Sequence, residues 1–142
     1  MIVYADSSFL VSSYAGDAHS TEADSKRALL PSILITPFVR AEVCTALHQQ
    51  VFHRRVSLAQ ANSAWQDFEQ DCNSGSLTRI DFPLAALHRT VDLAKLFGPT
   101  LGVRILDSLH VACALELKAE RFWTFDERQA RLAEAVGLDT SA

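Results

Sequence analysis

MIVYADSSFLV (residues 1–11) decides how the chain is read. Ile2 to Ala5 is an apolar run of strand length, and a carboxylate, Asp6, follows it at once. Small hydroxyl residues come next, and a helix is expected to start near Ser7 or Ser8. The same alternation recurs downstream. SILITP (32–37) is a second strand-length run stopped by Pro37, and helical spacing then begins at Phe38 (Val39, Val43, Ala46, Leu47, Gln50) and is expected to reach the HRR at 53–55. LTRID (77–81) and RFWTF (121–125) read as two further strands. Strands alternating with helices imply an α/β fold. We expect one domain over residues 1–142, with a mostly parallel central sheet of four or five short strands between two helical layers.

The remaining segments read as helices and their stops. HSTEADSKRALL (19–30) puts Ala23, Arg27 and Leu30 on one face, with Ser20 or Thr21 as cap. Ser57 is a cap candidate for a helix over 58–72, carrying Trp65, Phe68 and Cys72 on one face, with NSG (73–75) as loop. PLAALHRTVDLAKLFG (83–98) has Pro83 in its first turn and Gly98 as terminator, and PTLG (99–102) reads as a turn. GVRILDSLHVACALELKA (102–119) is a nearly all-apolar helix with Asp107 at its head. DERQARLAEAV (126–136) is the last helix, and residues 138–142 are expected to be a frayed, flexible tail.

Composition narrows the function. With 49% apolar and 21% charged residues this is an ordinary globular chain. The net charge of −4 argues against a non-specific nucleic-acid binder, without excluding an enzyme that meets RNA through a local basic patch. The three cysteines show no CxxC spacing, so structural zinc and a disulfide framework are not expected. A carboxylate at position 6 interrupts any secretory apolar segment, and no run has membrane-spanning length, so a cytoplasmic protein is the expectation. GxGxxG and GxxxxGK[ST] are both missing, which removes support for dinucleotide and P-loop chemistry. An aspartyl-nucleophile phosphatase would carry a second Asp two residues on, where this chain has DSS.

The carboxylates are the chemistry-bearing groups. Asp6 and Asp126 each follow a strand, the position where open α/β sheets bind ligands. Asp107 opens a helix, and Glu42 lies at the margin of the Val39–Val43–Ala46 stripe. Taken singly, each Asp is as well explained as a helix cap, and Asp81, in the same local context, is read as structural. Taken together the arithmetic changes. Two like charges 5 Å apart repel by roughly 3 kcal/mol at an effective dielectric near 20. Six such pairs are comparable to a domain's whole stability of about 5–15 kcal/mol. Four converging acids therefore require protonation or a cation, and oxygen ligands favour Mg²⁺ or Mn²⁺ over zinc.

These segments resemble PIN-domain ribonucleases, and most of all the VapC-type toxins of bacterial type II toxin–antitoxin pairs. The resemblance rests on MIVYADSSFLV, TPFVRAEVCTAL, GVRILDSLHVACAL and RFWTFDERQ, in that order across nearly the whole chain. It implies that Asp6, Glu42, Asp107 and Asp126 are the catalytic, metal-binding acids, with Asp6 and Asp107 as core ligands. It implies hydroxyl support from Ser7, Ser8 and Thr124. The implied reaction is metal-assisted hydrolysis of RNA, leaving a 3′-hydroxyl and a 5′-phosphate. The implied partners are RNA, a small VapB-type antitoxin covering the site, and a second copy of the chain. The short segment after AEAVG departs from the pattern and leaves little chain for a last edge strand.

Acids repel RNA, so basic groups should flank them. Arg104, three residues before Asp107, is the first candidate, followed by Arg40 and the HRR at 53–55. No histidine is assigned a metal or acid–base role, and His110 is expected to pack or face solvent. The helices over 38–52 and 58–68 offer apolar surface for an antitoxin. The alternatives are a non-catalytic PIN-fold scaffold and a stand-alone RNA-processing nuclease.

Overall fold

Four short strands form one parallel sheet in the order β3-β2-β1-β4. They are β1 (Ile2–Ala5), β2 (Ser32–Ile35), β3 (Thr78–Arg79) and β4 (Arg121–Trp123). The computed structural model describes residues 1–141. Between and after the strands lie α1 (Ser7–Ala15), α2 (Ser20–Arg27), α3 (Pro37–Phe52), α4 (Leu58–Ser74), α5 (Ala85–Leu101), α6 (Ile105–Glu116) and α7 (Glu127–Ala135). No helix among the described residues is long and apolar enough to cross a membrane.

The strand order explains the layers. From β1 the chain steps outward to β2 and then β3, so right-handed crossovers put α1–α4 on one face. The return from β3 to β4, on the far side of β1, reverses direction and puts α5 and α6 on the other face, where α7, which follows β4, packs against them. Contacts follow this division: α1 touches α2, α3 and α4, whereas α5, α6 and α7 touch one another. Strands β1, β2 and β4 are apolar on both sides, with Val3, Tyr4, Ala5, Ile33, Ile35, Phe122 and Trp123 all buried, whereas the two residues of β3 are exposed. Tyr4 stacks on Phe122 across the β1–β4 pair, centroids 5.5 Å apart. The reversal also creates a topological switch point between β1 and β4, where a doubly wound sheet opens a crevice at its strand C-termini.

Local chemistry moved several boundaries. Helix α2 starts after His19 and ends at Arg27, so Leu30 leaves the expected face; it takes a left-handed φ of 54° and is 89% exposed. Helix α3 stops at Phe52, short of the HRR, and Arg54 is left-handed. Helix α4 runs through the expected loop to Ser74, with Ser57 and Gln60 closing a capping box at its start. Pro83 lies just before α5, its carbonyl accepting from Ala86 N at 2.9 Å. Gly98 does not end α5. Pro99 falls inside the last turn, where the helix forgoes one i→i−4 amide bond, and Gly102 ends the helix with a left-handed φ of 61°. The expected tail is tied down as far as Ser141: Phe122 N donates to Asp139 O at 2.8 Å, forming a bridge beside β4, and Thr140 Oγ1 donates to Glu134. Residue 142 lies outside the described residues.

Candidate active site

Asp6 and Asp126 flank the switch point. Asp6 leaves β1 in extended conformation and caps α1, its Oδ1 accepting from Phe9 N at 3.1 Å and from Ser8 Oγ at 2.6 Å. Its Oδ2 accepts from Thr124 Oγ1, just past β4, at 2.5 Å. The side chain is buried, and burial holds its carboxyl above the usual range despite these donors. Asp126 caps α7, with Oδ1 accepting from the backbone of Arg128 (2.9 Å) and Gln129 (3.1 Å).

Thr124 joins the two acids. Its hydroxyl hydrogen goes to Asp6, while its oxygen accepts Asp126 N at 2.9 Å. Ser8 likewise gives its hydrogen to Asp6 and accepts Phe125 N at 3.0 Å, so the 3.2 Å contact between the two hydroxyls has no hydrogen left to share. Thr124 has a second effect. In a capping box the Gln at the third helical position, here Gln129, would reach back to the cap's own amide. Thr124 already serves that amide. The buried Gln129 carboxamide instead faces Asp107, and with its nitrogen assigned to that side, as the surrounding acceptors require, it donates to Oδ1 at 3.1 Å and to the backbone oxygen at 3.3 Å.

Asp107 is therefore not a helix cap. It is the third residue of α6, Arg104 occupies the cap position, and no capping hydrogen bond forms there. Burial and then the charge of Asp126 push its carboxyl up, while His110, Arg104 and Arg128 pull it down less strongly. Glu42 comes from α3, which Thr36 caps and Pro37 starts. Its Oε1 accepts from Ser7 Oγ at 3.1 Å and from His110 Nε2. Burial acts to raise the Glu42 carboxyl, but His110 and Ser7 outweigh it and leave it below the ordinary value.

Glu42, Asp107 and Asp126 line one open cleft of about 700 Å³, together with Arg104, Arg128 and Arg131. Asp6 lies beneath it, tied to Asp126 through Thr124. Among the described residues no three of His, Cys, Asp or Glu approach closely enough to enclose an ion, so the acids are gathered but not closed on a point. The donor set still fits a hard divalent cation. It is all carboxylate and partly desolvated, and burial holds the Asp6 and Asp107 carboxyls above their ordinary values, a cost that a bound cation would offset.

The other expected residues divide. Ser7, Ser8 and Thr124 support the acids, and Arg104 lines the cleft. Arg40 does not: it pairs with Glu69 at 2.6 Å, stacks over Trp65, and lines a separate groove with Arg79 and Asp81. Asp81, read as structural, caps no helix. His110, expected only to pack or face solvent, is 3% exposed and bonded to Glu42 and to the Tyr4 hydroxyl (2.8 Å). The signal for it was its place one turn after Asp107 on the same helical face. Gln129 was foreshadowed by the D-x-x-Q spacing at the head of α7, and Arg128 and Arg131 by their place just after Asp126.

Comparison with solved structures places this architecture among known ones. Mycobacterium tuberculosis VapC20, described as a Sarcin-Ricin loop cleaving toxin, superposes with a TM-score of 0.72 at 18% identity, over 98% of each chain. PAE2754 from Pyrobaculum aerophilum superposes with a TM-score of 0.63 at 16% identity, over 96% of this chain and 86% of its own. No curated protein sequence matches. The sequence pattern of the PIN domain matches residues 3–135, nearly the whole described fold, and the chain belongs to the PIN domain family.

Proposed function

We propose that the protein is a divalent-metal-dependent endoribonuclease, the toxin of a type II toxin–antitoxin pair. The observation that carries this reading is the cleft at the β1–β4 switch point, with Glu42, Asp107 and Asp126 on its walls, Asp6 beneath and arginines alongside. The fold likeness to a toxin described as cleaving the sarcin–ricin loop supports RNA as the substrate class. Asp6, Glu42, Asp107 and Asp126 would hold Mg²⁺ or Mn²⁺. Bound there, the ion supplies a low-pKa water and neutralises charge on the phosphoryl and leaving oxygens.

The chain's own groups divide the rest of the work. Ser8 and Thr124 fix both oxygens of Asp6, and Gln129 fixes Asp107. Arg104, Arg128 and Arg131 attract and orient the RNA backbone against an otherwise repulsive acidic cleft. An antitoxin of the VapB type, a homodimeric assembly and a cytoplasmic setting belong to the same proposal. Purified protein is expected to cleave RNA with Mg²⁺ or Mn²⁺ and to lose cleavage with EDTA, Asp6→Asn or Asp107→Asn. Cleavage that survives both substitutions in well-folded protein overturns the proposal.

A further inference from the structure

Beneath the cleft lie two side chains that hydrolysis, as described, does not use: His110 and Tyr4. His110 is buried in an aromatic setting, 4.6 Å between ring centroids from Phe38 and 5.8 Å, edge to face, from Tyr4. Burying an imidazole demands partners for both nitrogens, and both have one. Nδ1 meets the Tyr4 hydroxyl at 2.8 Å, and Nε2 meets Glu42 Oε1. Whichever way the Tyr4 hydroxyl is turned, Nε2 carries the hydrogen directed at the carboxylate.

Glu42 is thereby treated asymmetrically. Its Oε1 takes two donors, His110 and Ser7, while Oε2 has no hydrogen-bond partner among the described residues. A glutamate on a half-exposed helix face has three side-chain torsions to fix, and fixing them when a ligand arrives costs affinity. Here the ring of His110, clamped by Phe38 and Tyr4, fixes them beforehand. The clamp stands on α6, one turn after Asp107, so a single helix sets two of the acids.

We propose that His110, braced by Tyr4, is a positioning residue that holds Glu42 by one oxygen and presents the other to a cation in the cleft. This rests on the metal-dependent reading above. Outer-shell partners of this kind typically change metal affinity by about 10–100-fold when removed.

The test is calorimetric titration of the metal-free full chain with Mn²⁺ alone, with thermal melts as a folding control. His110→Phe keeps a ring and removes both hydrogen bonds. His110→Gln loses the ring but places an amide nitrogen the same number of bonds from the backbone as Nε2. The proposal expects His110→Phe to bind about 10–100-fold more weakly, with His110→Gln restoring most of the loss. Tyr4→Phe, which removes only the brace, should fall between His110→Phe and wild type. A packing role predicts the opposite ranking, with His110→Phe like wild type and His110→Gln impaired; that result overturns the proposal. Should His110→Phe fail to fold, Tyr4→Phe binding Mn²⁺ like wild type overturns it equally. Wild type that binds no Mn²⁺ removes the metal reading and this inference together, whereas tight wild-type binding with equal affinity in the folded variants removes this inference alone.

Discussion

Substitutions at Asp6 separate its two jobs, because one carboxylate both caps α1 and ties it to the segment after β4. Asparagine keeps the cap, since Asn and Asp are about equally good there. Its amide also lets the hydroxyls of Ser8 and Thr124, which can turn from donor to acceptor, find new partners. Alanine keeps neither. It forfeits the cap to Phe9 N, worth about 1 kcal/mol, and strands the two hydroxyls at 2.6 and 2.5 Å from the missing oxygens, at about 0.5–1.5 kcal/mol each. Asp6→Ala should therefore be about 2–4 kcal/mol less stable than Asp6→Asn, or roughly 7–13 °C in melting temperature for a domain of this size. Both should be inactive. Urea unfolding of the metal-free proteins at neutral pH makes the comparison, with equal m-values as the check on two-state behaviour.

The pH dependence supplies a second arm of the same experiment. Burial raises the folded-state pKa of Asp6 above its unfolded value, so the folded protein binds the extra proton between the two. Stability from this group then falls as pH rises from the ordinary carboxylate value through the raised one, and the full penalty persists above it. Asp107 has the same sign. Wild type should therefore lose stability relative to Asp6→Asn on going from about pH 4 to pH 7. Asp6→Ala and Asp6→Asn of equal stability, within about 0.5 kcal/mol, would show that the carboxylate does not tie α1 to β4, and the physical account of the site would fail.

Two further outcomes follow. In Asp107→Asn protein, used so that RNA is bound without being cut, Arg128→Ala and Arg131→Ala should each weaken RNA binding and reduce the salt slope by about 0.7 for every phosphate no longer neutralised, while Arg40→Ala leaves the slope unchanged; filter binding across salt concentrations decides. Thr124→Val, nearly the same shape, should cost about 2 kcal/mol in urea unfolding by depriving Asp6 Oδ2 and Asp126 N of their shared hydroxyl, and a cost below about 0.5 kcal/mol would refute the bridging role.

What could be read from sequence was what short-range physics specifies. An apolar run followed by Asp is visible locally, and Asp6 indeed follows β1 at once, whereas β4 ends at Trp123 and leaves Thr124 and Phe125 between it and Asp126. The alternation of strands with helices likewise fixed a parallel sheet and its two helical layers. Misreadings came where a local signal had two outcomes. Gly98-Pro99 reads as a stop, yet the helix runs on through both, at the loss of one amide bond, and Gly102 ends it. Asp107 reads equally well as a cap or as a ligand, and its place at the third helical position, facing Gln129, removes the cap. Long-range pairings were the least legible. His110 owes its role to Glu42 and Tyr4, 68 and 106 residues away in sequence, and Arg40 points to Glu69 although Glu42 is only two residues on.

The bridge at Asp139 has a bearing on how the protein keeps to itself. As an outer strand, β4 offers a row of amides and carbonyls to any extended chain that passes, and such rows are templates for unwanted association. Asp139 occupies the first of those positions through the Phe122 amide, and its side chain pairs with Arg121. A few residues after α7 thus act as a doorstop on the flank of the sheet that also carries Thr124 and Asp126. Trimming the chain after Gly137 would remove no acid from the cleft yet leave that part of the edge strand open to strangers.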